Sequence, residues 1–232
     1  MTSRPLALIV GAGDGLGAAL AQEFHEHAGM RVALAARRPE RLRALATEID
    51  GLALRCDAAR PAEVQALFAE LDRIDPRGPE LVVYNAGARL RAAIGEIDVE
   101  LAARALQVNA MGGLLVARQA APRMLAAGRG TLLFTGASAS VKGFAQSSVF
   151  AMGKFALRGL AQSLARELAP QGVHVAHVVL DGGIAHPERP APQQPDGQLD
   201  PRAIAREYLH LARQHRSAWT WEIELRPWVE KF

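Results

Sequence analysis

Short apolar runs alternate with longer amphipathic stretches along the first 180 residues of the chain. Leu6-Ala7-Leu8-Ile9-Val10 is apolar throughout and stops at Gly11, the pattern of a strand buried on both faces of a parallel sheet. Ala18–His27 continues as a helix that Gly29 ends. Val32–Ala36 reads as a second strand, followed by a helix over Pro39–Ile49 whose proline suits a helix start. A third strand over Gly51–Cys56 precedes a helix over Pro61–Leu71, where Val64, Leu67, Phe68 and Leu71 share one face. Leu81–Tyr84 is a fourth strand. A long helix over Val99–Ala127, closed by Gly128 and Gly130, leads to a fifth strand over Thr131–Thr135. A helix over Phe150–Ala169 then leads to a sixth strand over Val173–Leu180. Such alternation predicts an α/β fold, a doubly wound parallel sheet with helices on both faces.

Beyond residue 180 the pattern changes. Pro187, Pro190, Pro192, Pro195 and Pro201, set among Gln, Asp and Gly, predict an irregular loop over 181–201 that shapes a substrate pocket. A helix from Pro201 to about Gln214 follows. Ala218–Arg226 then alternates, with Trp219, Trp221, Ile223 and Leu225 on one side and Thr220, Glu222 and Glu224 on the other. This predicts a seventh, closing strand with one buried face. All three tryptophans lie in 219–232, so the tail is expected to pack into the core or a subunit interface. Neither a repeat nor an internal boundary is visible, and 1–232 reads as one domain.

Composition narrows the partners more than the fold. With 232 residues, 50% hydrophobic and 22% charged, the chain is long enough to bury a sizeable core. Net charge is +3 and the arginines are scattered, without the basic stripe that a nucleic-acid surface needs. The apolar stretch before Gly11 is too short for a signal peptide or a membrane span, and the single Cys56 leaves no intrachain disulfide. A soluble, cytoplasmic protein is expected. No Cys/His cluster suggests a metal, and His174 and His177, three apart on one strand, face opposite sides of the sheet.

The chemistry is concentrated in two places. The first is Gly11-Ala12-Gly13-Asp14-Gly15-Leu16-Gly17, directly after the first strand and before the first helix. Gly11, Gly15 and Gly17 fit Gly-x-x-x-Gly-x-Gly, which lets the backbone approach a pyrophosphate at a helix N-terminus. At the end of the second strand, an acid would bind the ribose hydroxyl of NAD and a base the added phosphate of NADP. The chain has Arg37 and Arg38 there, so NADP(H) is expected, with NAD(H) as the alternative; Asp14 places a negative charge nearby. The second place is Phe150-Ala151-Met152-Gly153-Lys154, whose first and last residues share a helix face and aim an aromatic ring and a cation into one pocket.

Taken in order, these motifs resemble the short-chain dehydrogenase/reductase family over residues 5 to about 185, and the stretch Phe134–Ser140 with the ending Ser217-Ala218-Trp219 and Arg226-Pro227-Trp228 also resembles a divergent bacterial branch of it. The resemblance rests on the glycine loop, with Val10 where threonine is usual, and on Cys56-Asp57-Ala58, Tyr84-Asn85-Ala86-Gly87, Asn109, Lys154 and Asp181-Gly182-Gly183-Ile184. It implies a seven-stranded Rossmann-like sheet and a homo-oligomer, either dimer or tetramer. It also implies an adenine contact at Asp57 and Ala58, cofactor contacts at Asn85, Ala86, Gly87, Gly182, Ile184 and Lys154, and a catalytic asparagine at Asn109. Two family features are altered. Phe150 replaces the tyrosine that donates the proton. Ala137 stands thirteen residues before it, where a serine is usual, with Ser138 one place later; Ser138 either takes over that role or caps its loop. Asp181 also replaces a proline.

Phenylalanine transfers no proton, and loss of a positioned acid costs about 10²–10⁴-fold in rate. Three functions are therefore expected candidates. The chain is an atypical NADP(H)-dependent oxidoreductase acting on a small carbonyl-like substrate, or a blunted NADP(H)-binding sensor or oligomer partner, or a non-redox enzyme on the same fold. In the first case the proton comes from Lys154, from water held by Asn109 and Lys154, or from Ser138, Ser147 or Ser148. His186 is a candidate substrate contact, and Tyr208 the one late phenol available as a displaced acid.

Overall fold

The computed structural model describes residues 4–186, 188, 190, 192 and 194–230. One seven-stranded parallel sheet runs through it in the order β3-β2-β1-β4-β5-β6-β7. The strands are β1 (Leu6–Val10), β2 (Arg31–Ala36), β3 (Leu52–Arg55), β4 (Leu81–Tyr84), β5 (Gly130–Thr135), β6 (Val173–Leu180) and β7 (Glu222–Leu225). The helices are α1 (Leu16–Ala28), α2 (Arg43–Glu48), α3 (Pro61–Ile74), α4 (Val99–Leu106), α5 (Gly112–Ala127), α6 (Ser148–Leu168) and α7 (Pro201–Ala212).

Two apolar cores form because the central strands are hydrophobic at every position. Ile9, Leu34, Val83 and Val178 point to the face covered by α1, α2 and α7. Leu8, Val82, Phe134 and Val175 point to the opposite face, under α3, α5 and α6. Each fully buried large side chain contributes about 1.5–3 kcal/mol. His174 and His177 fall on opposite faces, as their spacing requires. The chain leaves β1 toward β2 on one side and returns to β4 on the other. That reversal opens a crevice at the carboxyl ends of β1 and β4.

Three elements depart from the pattern read in the sequence. The stretch Pro39–Ile49 divides into a 3₁₀ turn (Pro39–Leu42) and the short α2. The helix expected over 99–127 is broken by a π-helical turn over Gln107–Met111. The Tyr84 hydroxyl donates to the Val108 carbonyl inside that turn, and a β-carbon on Gly112 would lie 2.1 Å from the same hydroxyl. The phenol thus fills the space and takes the carbonyl that a regular helix would claim. The closing strand is shorter than the alternation implies, with a 3₁₀ turn at Arg216–Ala218 before it.

The tail is less buried than its tryptophans suggested. Trp219 stacks on His174 with ring centroids 4.9 Å apart, and Trp221 lies under Arg158 at 5.5 Å. Trp228, however, is 80% exposed, so of the two expected places, core and subunit interface, the core does not hold it. Glu222, assigned to a polar outer side, is turned inward. Arg158 holds its carboxylate through two hydrogen bonds of 2.6 and 2.7 Å, and His177 Nδ1 lies 2.9 Å from it.

The 181–201 loop is irregular but pinned. Ile184 bridges Leu199 in parallel, with Ala185 N donating to Leu199 O and Leu199 N to Gly183 O, both at 2.8 Å. Pro187, one of the prolines that marked the loop, lies outside the described residues.

Candidate cofactor and catalytic site

The glycine loop forms because Gly11 adopts φ +84° and because Ala86 crosses so close that a β-carbon on Gly11 would lie 2.3 Å from its nitrogen. Gly11 N and Ala12 N both donate to Ala35 O, and Asn85 Nδ2 donates to Gly11 O at 3.0 Å. Strands β1, β2 and β4 are thereby tied together at their ends. No side chain caps α1, which leaves its first N–H groups facing the crevice.

A cavity of about 330 Å³ opens there, and Gly11, Gly13, Asp14, Arg37, Arg38, Asp57, Ala58, Asn85, Ala86 and Gly87 line it. The structure therefore brings ten of the expected cofactor residues onto one wall. Gly15, Leu16 and Gly17 begin α1 beside it, and Leu16 buries its side chain in the core. Arg41 also lines the cavity. Its spacing of four from Arg37 was the sequence signal for it, read instead as part of a charged helix. Arg37 and Arg38 are exposed, and among the described residues neither they nor Arg41 has a carboxylate partner. Asp57 is already engaged: its Oδ1 accepts from Ala59 N, and its own N donates to Glu63. Cys56 behind it is inert, since burial pushes its thiol up to about 12. His186 lies against the glycine loop, its Nε2 3.8 Å from Asp14.

The second half of the site sits on α6 and the turn after β5. Lys154 Nζ donates to the Thr135 carbonyl at 2.8 Å. The lysine is buried, 4% exposed, and burial alone pushes its ammonium down to about 8. Its neighbour Phe150 lies with the ring centroid 5.8 Å from Nζ. Asn109 is also buried and clamps the irregular segment after Gly87: Oδ1 accepts from Ala88 N at 2.9 Å and Nδ2 donates to Ala88 O at 2.6 Å. Gly153 makes this possible, since a β-carbon there would meet Asn109 Cβ at 2.5 Å. Asn109 thus holds the backbone that leads from the cofactor wall toward Phe150.

The serines divide. Ser140, not Ser138, caps the loop, accepting from Ala137 N at 3.1 Å. Ser138 is half-buried at the first position of the 3₁₀ turn Ser138–Ser140, and its hydroxyl has no partner among the described residues. Tyr208 is not a displaced acid. It is wholly buried beneath β5, with its hydroxyl 2.9 Å from Thr135 Oγ1, and desolvation drives its pKa further up, away from any proton transfer. Gly182 and Ile184 follow β6, but Ile184 packs toward the core. Asp181, in the place of the family proline, is a buried carboxylate bonded to Lys142 at 3.1 Å and to Arg226 at 3.3 Å.

Comparison with known proteins agrees with this geometry. The model of the short chain dehydrogenase family matches residues 5–187. An uncharacterized oxidoreductase of Staphylococcus aureus strain N315 is 29% identical over 231 residues, covering 96% of both chains. A bovine 3-oxoacyl-[acyl-carrier-protein] reductase is 32% identical over 178 residues, covering 76% of this chain and 74% of that protein. The crystal structure of a short-chain dehydrogenase from Rhodopseudomonas palustris superposes with a TM-score of 0.83 at 34% identity, covering 97% of this chain and 99% of that one. A metagenomic short-chain oxidoreductase solved in complex with NADP gives a TM-score of 0.83 at 27% identity, covering 97% and 98%. No helix among the described residues is long and apolar enough to cross a membrane. The family model spans well over half of the chain and the sheet superposes on solved members, and the chain belongs to the short-chain dehydrogenase family of oxidoreductases.

Proposed function

We propose that the protein is an NADP(H)-dependent oxidoreductase that moves a hydride to or from a small carbonyl-like substrate, with Lys154 in place of a tyrosine as the proton source. The carrying observation is the group of three guanidiniums, Arg37, Arg38 and Arg41, that line the cavity with no carboxylate partner among the described residues. Arginine forks match phosphate geometry, and three of them suit the dianionic ribose phosphate that separates NADP from NAD. The cradle fits the rest of such a cofactor, because Gly11 and Gly13 leave backbone exposed at an uncapped helix N-terminus. When bound, the cofactor supplies the hydride.

The chain's own residues supply the remainder. Asn109 fixes the backbone at Ala88, Lys154 is held at Thr135 O, and its desolvated ammonium gives up a proton far more readily than an exposed lysine. In the reducing direction that proton goes to the carbonyl oxygen as hydride reaches the carbonyl carbon. Ser138, with a free hydroxyl, polarises the same oxygen. Exposed apolar side chains on α4, α5 and α6, among them Leu101, Leu114, Met152 and Phe155, support a homo-oligomer.

One observation favours a second reading, a cofactor-binding sensor without turnover: Phe150 carries no proton donor at the place where one is needed. Calorimetric titration with NADPH and NADH, in wild type and in an Arg37→Ala/Arg38→Ala variant, tests the assignment. We expect NADPH to bind more tightly and the variant to lose that preference. Binding of neither cofactor overturns the proposal, and equal or better binding of NADH overturns the choice of NADP. NADPH binding without oxidation by any of a broad set of carbonyl compounds leaves the sensor.

A further inference from the structure

Arg89 stands beside the Phe150 ring with a charge that no carboxylate among the described residues neutralises. Its residue is exposed, and its guanidinium carbon stands 5.8 Å from the centroid of the Phe150 ring. Among the described residues no carboxylate and no hydrogen-bond acceptor engages it. It is not a loose surface side chain. Its backbone follows Ala88, which Asn109 grips on both sides. Three residues on, Ala92 N donates to Gln146 O at 3.0 Å, tying this segment to the loop that precedes α6. The head group rests on an aromatic face, which orients a guanidinium while leaving its N–H edge available.

The surrounding charges leave that edge unneutralised. Asp181, the buried carboxylate of this end of the sheet, already binds Lys142 and Arg226. Phe150 has no polar atom, so at the position where the family resemblance implies a phenol, this chain offers a platform for a cation. The ring has Lys154 Nζ at the same distance as Arg89, 5.8 Å, so guanidinium and ammonium are within about 12 Å of each other. For a ligand seated between the two cations, a hydrogen bond of about 2.8 Å at each end leaves about 6 Å or less between its two oxygens.

We propose that the substrate carries a carboxylate, bound by Arg89, while its carbonyl oxygen faces Lys154; this assignment rests on the oxidoreductase reading above. The span fits oxo acids in which the carbonyl lies one to three carbons from the carboxylate. A single guanidinium matches a monoanion in fork geometry, whereas the phosphate expected on the cofactor meets three. The reaction is balanced as a ketone plus reduced cofactor plus one proton giving the hydroxy acid and oxidised cofactor.

The test uses two pairs of compounds that differ only in charge, benzoylformate with its methyl ester and 4-oxopentanoate with its methyl ester. Each is titrated by calorimetry into the protein loaded with oxidised NADP, where reduction is impossible, and assayed separately for NADPH oxidation. For at least one pair we expect the acid to bind about 10- to 100-fold more tightly than the ester. Arg89→Leu should abolish that ratio and Arg89→Lys should keep part of it, with circular dichroism confirming that both variants fold. Equal binding of acid and ester, no binding of either, or a preference that survives in Arg89→Leu overturns the proposal. An acid preference that depends on Arg89 but comes with no NADPH oxidation upholds the carboxylate site and overturns the turnover reading instead.

Discussion

The carbonyl oxygen of Thr135 accepts a hydrogen bond from the Lys154 ammonium at 2.8 Å, and this contact holds a cation in a place with no compensating carboxylate among the described residues. The lysine's pKa falls from 10.5 to about 8 in the folded protein. Two pH effects of opposite sign follow. If Lys154 is the acid, the rate of carbonyl reduction declines as pH rises through about 8, and a kcat–pH profile reads this directly. Stability moves the other way. Between pH 8 and 10.5 the unfolded chain binds more protons at this residue than the native one, so native stability rises with pH there. Below pH 8 the full desolvation deficit remains, on the order of 3 kcal/mol. Lys154→Met should therefore abolish activity and raise Tm at pH 7, with the Tm gain shrinking toward pH 10.

Phe150→Tyr restores a phenol on the same helix face as Lys154, beside two cations that favour its ionised form. Reduction of a neutral ketone should accelerate, by up to about 10²–10⁴-fold. Steady-state NADPH oxidation measures it. An unchanged kcat means that proton supply does not limit the wild-type protein.

Tyr84→Phe removes the hydrogen bond to the Val108 carbonyl and leaves a buried acceptor without a partner. Loss of stability should be about 1–3 kcal/mol in urea unfolding. The π-helical turn should relax at the same time, carrying Asn109 away from Ala88. Activity should then fall by more than cofactor affinity does, a split that steady-state kinetics and calorimetry together resolve.

Glu222→Gln strips the charge that Arg158 and His177 share. Burial opposes ionisation of Glu222, but the bonds from Arg158 and His177 outweigh it and hold the carboxyl below its usual range. The Arg158 guanidinium would be left half-buried without its partner. A cost of about 2–3 kcal/mol is expected, below the full value for a buried pair because Arg158 and Glu222 are partly solvated. Thermal denaturation checks it, with Glu222→Asp as the variant expected to recover part of the loss.

Much of the fold was legible because periodicity and punctuation agree. Strands such as Leu6–Val10 and Val173–Leu180 are apolar at every position, as strands covered on both faces must be, and Gly29 and Gly128 mark helix ends that the structure places there. The cofactor wall was legible for a related reason: its residues follow the strands directly. What escaped depends on contacts distant in sequence. The π-helical turn at Asn109 requires the Tyr84 hydroxyl, more than twenty residues away, and no local signal in Gln107–Met111 announces it. Glu222 read as solvent-facing because alternation alone cannot reveal Arg158 and His177 waiting inside. Nothing local singles out Arg89 among the scattered arginines, since its meaning comes only from the ring beneath it.

The position of β7 bears on how the chain is made as well as how it stands. β6 is eight residues long and buried throughout, yet its outer neighbour is the last strand to be synthesised. From the emergence of Leu180 to that of Leu225, about 2–9 s at translation rates of about 5–20 residues per second, β6 is an open edge of a nascent sheet. It presents unpaired, apolar backbone, the surface on which other chains add by edge-to-edge pairing. Expression yield should thus respond to chaperone supply and to synthesis speed over residues 181–225 more than to changes anywhere in the first four strands.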